Sequence, residues 1–252
     1  MWSPVSAGLS CLEWDNFPLL RSSGRVPCTV PPLRFDRVSL SQASKTLLRD
    51  GRWANARVMR VSVAGRDWVL KDFAPRAWWV RNTIGRVFVR RELATLQRLH
   101  GIAGIPPDPF RVDAHAIAFG YIEGDTLGKV DPVRQTPQYF MALEALMRAI
   151  HARGIVHLDA RGTGNVLMQP DGSPALIDFQ SSLSTRWMPA AWRRFLESVD
   201  LTGVYKKWLQ RDPESMGPER LELNERMTRW RRYWVLRGYA GARKTRPTDA
   251  AR

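Results

Sequence analysis

Two short segments place carboxylate and amide side chains where apolar runs end. In segment 156–167 (VHLDARGTGNVL), Asp159 follows one apolar run and Asn165 precedes another, and in segment 175–180 (ALIDFQ) Asp178 ends a third. The oxygens of Asn165 and Asp178 suit Mg²⁺, which leaves Asp159 free to accept a proton from an attacking hydroxyl. Phosphoryl transfer requires such groups. An aspartate that ends a strand is also typical of a turn, so that simpler interpretation stays open.

Two further charged residues lie inside apolar patterns. Lys71 shares one face of a predicted strand with Val69 and Phe73, and Glu92 lies on the apolar face of a helix predicted over Val87–His100. A charge on an apolar face requires an opposite charge nearby. Lys71 and Glu92 are 21 residues apart, a separation that suits a strand and the next helix packed together. An edge lysine and a glutamate that pairs with a neighbouring arginine remain alternatives.

The elements that must position these residues form a strand-rich half followed by a helical half. Apolar alternation predicts strands over Arg57–Val63 and Arg66–Phe73, joined by an Ala64-Gly65 turn, and over Ala116–Ile122. Helical spacing of apolar residues predicts helices after residue 136, including 191–199, 201–209 and 221–237. The predicted divisions are a flexible extension, a small β-rich lobe, a helical lobe and a disordered tail, over residues 1–34, 35–123, 124–240 and 241–252.

The charged residues occur in the order and with the spacing of the protein-kinase signature residues. That set consists of Lys71, Glu92, His157 with Asp159 and Asn165, and Asp178 with Phe179. Over about residues 35–210 the chain therefore resembles the protein-kinase superfamily. Within that superfamily it is similar to the small bacterial kinases of the lipopolysaccharide-kinase (Kdo/WaaP) and RIO-like group. Segments 90–107 (RRELATLQRLHGIAGIPP) and 120–124 (GYIEG) carry the narrower resemblance.

The resemblance implies a fold, two cofactors and a role for each signature residue. The fold is α+β and bilobal, and the cofactors are ATP and Mg²⁺. Lys71 would contact the nucleotide phosphates and pair with Glu92, and the backbone at Tyr121 and Ile122 would hold the adenine. The other implied roles are the catalytic base, Asp159, and the magnesium ligands, Asn165 and Asp178.

The chain departs from the usual protein-kinase pattern around its catalytic segments. Five residues, where the family has four, separate Asp159 from Asn165. Leu158 replaces the usual arginine and Gln180 the usual glycine, and no Ala-Pro-Glu motif follows. The glycine-rich loop is reduced to Asp50-Gly51. These departures argue against a regulated protein kinase of the eukaryotic type.

The amino-acid composition favours some binding partners of the chain over others. The chain of 252 residues has a net charge of +15, 11 tryptophans and only two cysteines, Cys11 and Cys28. Two cysteines are too few for a disulfide framework, and this predicts a cytoplasmic setting. Basic residues interleaved with tryptophan, at Trp78-Trp79 and again after Arg186, favour an anionic membrane surface, here the inner face of the inner membrane. No nucleic-acid-binding motif of the usual kinds occurs, which makes a nucleic-acid partner unlikely.

The resemblance, together with the basic composition, implies an ATP-dependent phosphotransferase whose acceptor is a sugar hydroxyl of the lipopolysaccharide core. Two alternatives stay open: a Ser/Thr protein kinase of the RIO-like type, and a pseudokinase that binds nucleotide without transferring phosphate. A basic nucleic-acid-binding protein is a third class, supported by net charge alone.

Overall fold

The computed structural model describes residues 34–51 and 55–233. These residues belong to one compact unit that begins at Arg34. The predicted extension, apart from Arg34, and the predicted tail lie outside the described residues, as do both cysteines. None of the described helices is long and apolar enough to cross a membrane.

In the part of the chain that the structure describes, the strands form one large sheet and two small ones. The large sheet is antiparallel and has the order β1-β2-β3-β5-β4. Its strands are β1 (Ser44–Asp50), β2 (Arg57–Val63), β3 (Arg66–Asp72), β4 (Phe110–Arg111) and β5 (Ala116–Gly120). The small sheets contain β6 (Asp125–Thr126), β8 (Val166–Met168) and β9 (Pro174–Leu176), and β7 (Ile155–Val156) and β10 (Leu183–Ser184).

The hairpin between β2 and β3 confirms the predicted turn and fixes the direction of the side chains on β3. Ala64 and Gly65 both have positive φ, +48° and +75°, which suits the twist of a two-residue hairpin. Trp68 and Leu70 then pack on one face of the sheet with Phe35 and Phe110. Lys71, which alternates with them, lies on the opposite face, towards the helices.

Helices supply the rest of the fold. They are α1 (Arg37–Gln42), α2 (Trp78–Val80), α3 (Arg86–Arg98), α4 (Pro137–Ala152), α5 (Ala190–Leu209) and α6 (Pro218–Tyr233). A π-helical turn, Arg81–Gly85, joins α2 to α3. Thr136 begins α4 by accepting the backbone N–H of Tyr139. One apolar core runs from the inner face of the large sheet through α3, α4 and α5, so the lobes are packed together. The α+β bilobal prediction is confirmed.

One detail of the predicted helices is wrong. Segments 191–199 and 201–209 are one continuous helix, α5, because Asp200 between them is buried and paired with neighbouring backbone. The apolar residues whose helical spacing predicted the first half of α5 are only partly buried: Trp192 is 59% exposed, and Phe195, Leu196 and Val199 are half-buried. In the second half, Leu201, Val204, Tyr205 and Trp208 are buried.

Candidate active site

A cavity of about 450 Å³ lies between the large sheet and the β8–β9 region. A smaller pocket of about 140 Å³ shares four of its lining residues, and Asp159 lines this smaller part. The four shared residues are Arg49, Val58, Lys71 and Asp178. The residues predicted for chemistry, distant in sequence, therefore border one continuous space.

The larger part of the cavity is apolar. Its lining includes residues of β2, β3, β5 and β8: Val58, Val69, Phe119 and Leu167. Tyr121 and Ile122, whose backbone was predicted to hold the adenine, line the same part of the cavity. The N–H of Tyr121 donates to the carbonyl of Asp67 at 3.1 Å, so that group is already used by the chain itself. The apolar walls suit a flat aromatic ring.

At the polar end of the cavity, one ammonium joins two carboxylates. The Nζ of Lys71 lies 2.6 Å from Oε1 of Glu92 and 2.7 Å from Oδ1 of Asp178. Lys71 is 5% exposed and Glu92 3%, so the simpler interpretations of both as surface residues are wrong. Burial alone would lower the pKa of Lys71, but the two carboxylates outweigh it and raise that pKa. The lysine is therefore a fixed positive charge.

Glu92 reaches Lys71 because α3 packs its apolar face on the sheet. Val89 and Leu96, one turn to either side, are buried in the main core. The same carboxylate oxygen that binds Lys71 also accepts the backbone N–H of Phe179 at 3.2 Å. Glu92 thus ties together the sheet, its own helix and the segment after β9.

Asp178 is held by its backbone conformation as well as by its charge. Its φ of +65° lies in the left-handed region, which aspartate tolerates better than most residues. Phe179, which follows, is fully buried with its ring 4.7 Å from that of His157. Burial would raise the pKa of Asp178, but the Lys71 ammonium outweighs it and holds that pKa below its ordinary value. Asp178 is therefore ionised, as a magnesium ligand must be.

Asp159 and Asn165 meet despite the longer loop between them. The Nδ2 of Asn165 donates to Oδ2 of Asp159 at 2.8 Å and to its carbonyl at 3.1 Å. The fifth residue is accommodated within the glycine-containing loop 160–164, and Asn165 still lines the larger cavity beside Asp178. Asp159 itself is exposed, so an acceptor hydroxyl can approach it.

Asp200 and Lys207, both on α5, hold the loop that carries Asp159. Asp200 accepts the backbone N–H groups of His157 and Leu158 at 2.6 and 2.7 Å. Lys207 is buried and donates to the carbonyls of Ala160 and Gly203. Nε2 of His157 lies 3.1 Å from the carbonyl of Ile177, so His157 links this loop to the segment before Asp178. The backbone on both sides of Asp159 is thus fixed by one helix.

Helix α3 is also fastened to the segment that follows Asp178. Arg91 donates to the carbonyl of Ser182 at 2.7 Å, the hydroxyl of Thr95 lies 3.0 Å from that of Ser182, and Arg98 donates to Ser184. With the bond from Phe179 to Glu92, contacts run along about two turns of the helix, from Arg91 to Arg98. These bonds hold the segment after Asp178 against the helix without a phosphorylated residue in that segment.

The sequence interpretation did not identify three residues of this site. Arg49 on β1 lies 3.8 Å from Oδ2 of Asp178, in the position where the reduced glycine-rich segment Asp50-Gly51 begins. Its only sequence signal is that neighbourhood. Asp200 and Lys207 follow the catalytic segment by about 40 residues, and an acidic or basic residue inside an apolar helix was their available signal.

The donor set fits Mg²⁺ bound together with phosphate. No group of three His, Cys, Asp or Glu side chains that could hold a metal ion occurs among the described residues. Asn165 and Asp178 nevertheless present hard oxygen atoms to the cavity, and Mg²⁺ is commonly bound by one or two protein ligands plus substrate phosphates. The residues present therefore fit a metal that arrives with a nucleotide.

A β-sheet lobe bearing a buried Lys–Glu pair, packed on a helical lobe bearing Asp159 and Asp178, defines the protein-kinase-like class. Solved structures agree on the fold. One is the Rio2 kinase–ADP/Mg²⁺–phosphoaspartate complex from Chaetomium thermophilum, with a TM-score of 0.53 and 18% identity. The match covers 73% of this chain, which spans only 60% of that protein.

Residues 73–216 match the model of the RIO domain, and the chain belongs to that family. Lys71 lies just before the matched segment. No curated protein sequence matches the chain. The RIO-like part of the predicted resemblance is confirmed, whereas these matches give no support to a closer relation with lipopolysaccharide kinases.

Proposed function

We propose that this protein is an ATP- and Mg²⁺-dependent kinase that phosphorylates a hydroxyl group of a protein. The observation that carries the proposal is the shared cavity. Lys71 and Asp178 lie 2.7 Å apart in it, Asp159 lines its smaller part, and an apolar pocket occupies its other end. The adenine ring needs the apolar pocket, the triphosphate needs the charged groups next to it, and the acceptor hydroxyl needs the carboxylate beyond them.

The chain's own residues would bind and orient the nucleotide. The apolar walls at Val58, Val69 and Leu167 would take the adenine ring. The Lys71 ammonium, fixed by Glu92, would contact phosphate oxygens, and Arg49 offers a second cation. Asn165 and Asp178 would hold Mg²⁺, which when bound neutralises charge on the phosphates.

Asp159 would act as the general base. Its carboxylate is exposed on the cavity side and can accept the proton of an acceptor hydroxyl, while the bond from Asn165 fixes the orientation of the carboxylate. Asp200 and Lys207 keep the loop in place, since they bind its backbone rather than its side chains. The acceptor oxygen then attacks the terminal phosphorus while ADP leaves.

The choice of a protein acceptor is supported by membership of the RIO family. The matched Rio2 kinase complex contains ADP and Mg²⁺, which supports the nucleotide and the metal rather than the acceptor. Transfer to a lipopolysaccharide sugar remains a second acceptor class. It rests on the sequence resemblance alone.

The test is incubation of the full chain with labelled ATP and Mg²⁺, separately with a protein extract and with purified lipopolysaccharide. We expect label in protein, including the chain itself, and none with Asp159→Asn. Label only in lipopolysaccharide would overturn the choice of acceptor. Nucleotide binding with no transfer to either would favour the pseudokinase, for which the longer loop between Asp159 and Asn165 is the supporting observation.

A further inference from the structure

A second, larger cavity of about 930 Å³ lies outside the site just described and shares no lining residue with it. It is formed where the ends of α3 and α4 meet the segment after β10, α5 and α6. We name it the arginine cavity, because seven arginines line it: Arg98, Arg148, Arg153, Arg186, Arg193, Arg194 and Arg226. Its only carboxylate is that of Glu197.

Most of this positive charge is not neutralised within the described part of the chain. Arg148 pairs with Glu144, and Arg193 lies 3.8 Å from Glu197. The other five have no carboxylate within ion-pair distance among the described residues. Arg98 and Arg153 donate only to uncharged oxygens, and Arg186 lies over the Trp187 ring at 5.3 Å.

Arg194 and Arg226 are the least engaged of the set. Among the residues that the structure describes, neither side chain has a hydrogen bond or an ion pair. Arginines that line one concave surface repel each other unless an anion lies between them. Since neither guanidinium is bonded to another described residue, both are available to bind a ligand.

The wall also contains a hydrogen-bonding group without a partner. Thr185 lines the cavity and is fully buried, and its hydroxyl makes no hydrogen bond within the described residues. Because Thr185 has no accessible surface, its hydroxyl cannot reach a group in the cavity, and the arginines are the groups that a ligand can contact.

Arginine forks match phosphate oxygens in pairs, which favours phosphate as the recognised group. Two exposed tryptophans stand next to lining arginines in sequence: Trp187, 88% exposed, follows Arg186, and Trp192, 59% exposed, precedes Arg193. Tryptophan beside basic residues is typical of proteins at a lipid headgroup layer. A nucleic-acid strand would instead need a basic track, and this site is a single concave cluster.

We propose that the arginine cavity binds clustered phosphate groups, supplied by anionic phospholipid headgroups or by a soluble polyphosphate. This site is separate from the cavity that is proposed to bind ATP, which we call the nucleotide cavity, so the proposal does not depend on catalysis. Glu197 would keep Arg193 oriented, and the remaining arginines would close around the phosphates.

The experiment compares two double variants of the full chain that remove the same charge. Arg194→Gln/Arg226→Gln changes the cavity, and Arg90→Gln/Arg134→Gln changes two exposed arginines outside both cavities that have no ion pair among the described residues. The probes are inositol hexakisphosphate, measured by calorimetry, and sedimentation with phosphatidylcholine vesicles with and without phosphatidylglycerol. Circular dichroism verifies folding.

We expect the cavity variant to weaken binding about tenfold, and the control variant to change it less than twofold. Cavity-dependent binding to both probes, or to vesicles alone, supports a lipid source, and binding to the soluble probe alone supports a soluble source. Equal losses in both variants, or no binding by the unmodified chain, would overturn the proposal. Tighter, cavity-dependent binding to a single-stranded RNA oligonucleotide would also overturn it. Loss of kinase activity in the earlier assay would leave these results unaffected.

Discussion

The two cavities handle positive charge in opposite ways. In the nucleotide cavity a single buried lysine is surrounded by two carboxylates, whereas in the arginine cavity five arginines have no carboxylate partner among the described residues. A buried charge without a partner opposes folding, so the chain must supply the partner itself. An exposed guanidinium keeps its hydration and needs none. The first site is therefore organised before any ligand arrives, and the second becomes neutral only when a ligand binds.

The largest expected effect is on the rate of phosphoryl transfer, at the exposed carboxylate of Asp159. Asp159→Asn removes the proton acceptor and should lower the rate of phosphoryl transfer about 10³-fold. The midpoint of urea unfolding should hardly change, because the side chain is exposed and an amide replaces it. Initial rates with labelled ATP provide the measurement. A loss below about tenfold would remove Asp159 from the role of base.

The next effect tests whether internal pairing is what the first site requires. Lys71→Met leaves the buried Glu92 without its cation and the half-buried Asp178 with Arg49 alone at 3.8 Å, and should lower the free energy of unfolding by about 3–5 kcal/mol. Adding Glu92→Leu removes one of the stranded charges, and the double variant should be more stable than Lys71→Met alone. Urea unfolding followed by fluorescence measures both. Equal stability of the single variant and the unmodified chain would contradict the pairing.

Lys207 offers a case between the two regions, since it is buried and has no carboxylate within ion-pair distance among the described residues. Burial lowers its pKa to about 8 from 10.5. Between these values the unfolded chain binds more protons than the folded one, so the free energy of unfolding should rise with pH from about 8 to 10.5. The rise attributable to this group is up to about 3 kcal/mol.

The check is the difference between the unmodified chain and Lys207→Met in urea unfolding across that range of pH. Other lysines and tyrosines titrate in both proteins and cancel in the difference. A difference that does not vary with pH would show that Lys207 is not held in a desolvated position.

The smallest effect belongs to the arginine cavity in the absence of ligand. Arg194→Gln/Arg226→Gln removes two charges that have no partner among the described residues, so the free energy of unfolding should change by less than about 0.5 kcal/mol. Relief of repulsion would make any change a slight stabilisation. A loss above about 2 kcal/mol would show that these side chains support the fold, and the contrast with Lys71 would fail.

Local patterns predicted the nucleotide cavity well because its key residues violate the pattern around them. Lys71 interrupts an apolar strand face and Glu92 an apolar helix face, and the mutual need of such charges gives a distance constraint. Asp159 and Asp178 each follow an apolar run that ends at the cavity. The hairpin and α4 could also be predicted, because local residues mark where they turn or begin: Ala64-Gly65 for the hairpin and the N-cap Thr136 for α4.

What could not be predicted depends on residues from many elements meeting. The arginine cavity draws on five elements, and the sequence shows only 16 basic against 8 acidic residues from Arg186 onward. Arg49 joins the first site through a sheet edge whose pattern is entirely exposed. The continuity of α5 was missed because Asp200, a polar residue between two apolar stripes, signals an end unless its backbone partners at His157 and Leu158 are known.

The bonds from α3 to the segment after Asp178 have a consequence for control in the cell. Many kinases are switched on when this helix swings inward, but here Glu92, Arg91 and Thr95 already hold the helix against that segment. We therefore expect the proposed kinase activity to need no modification that first moves this helix into place.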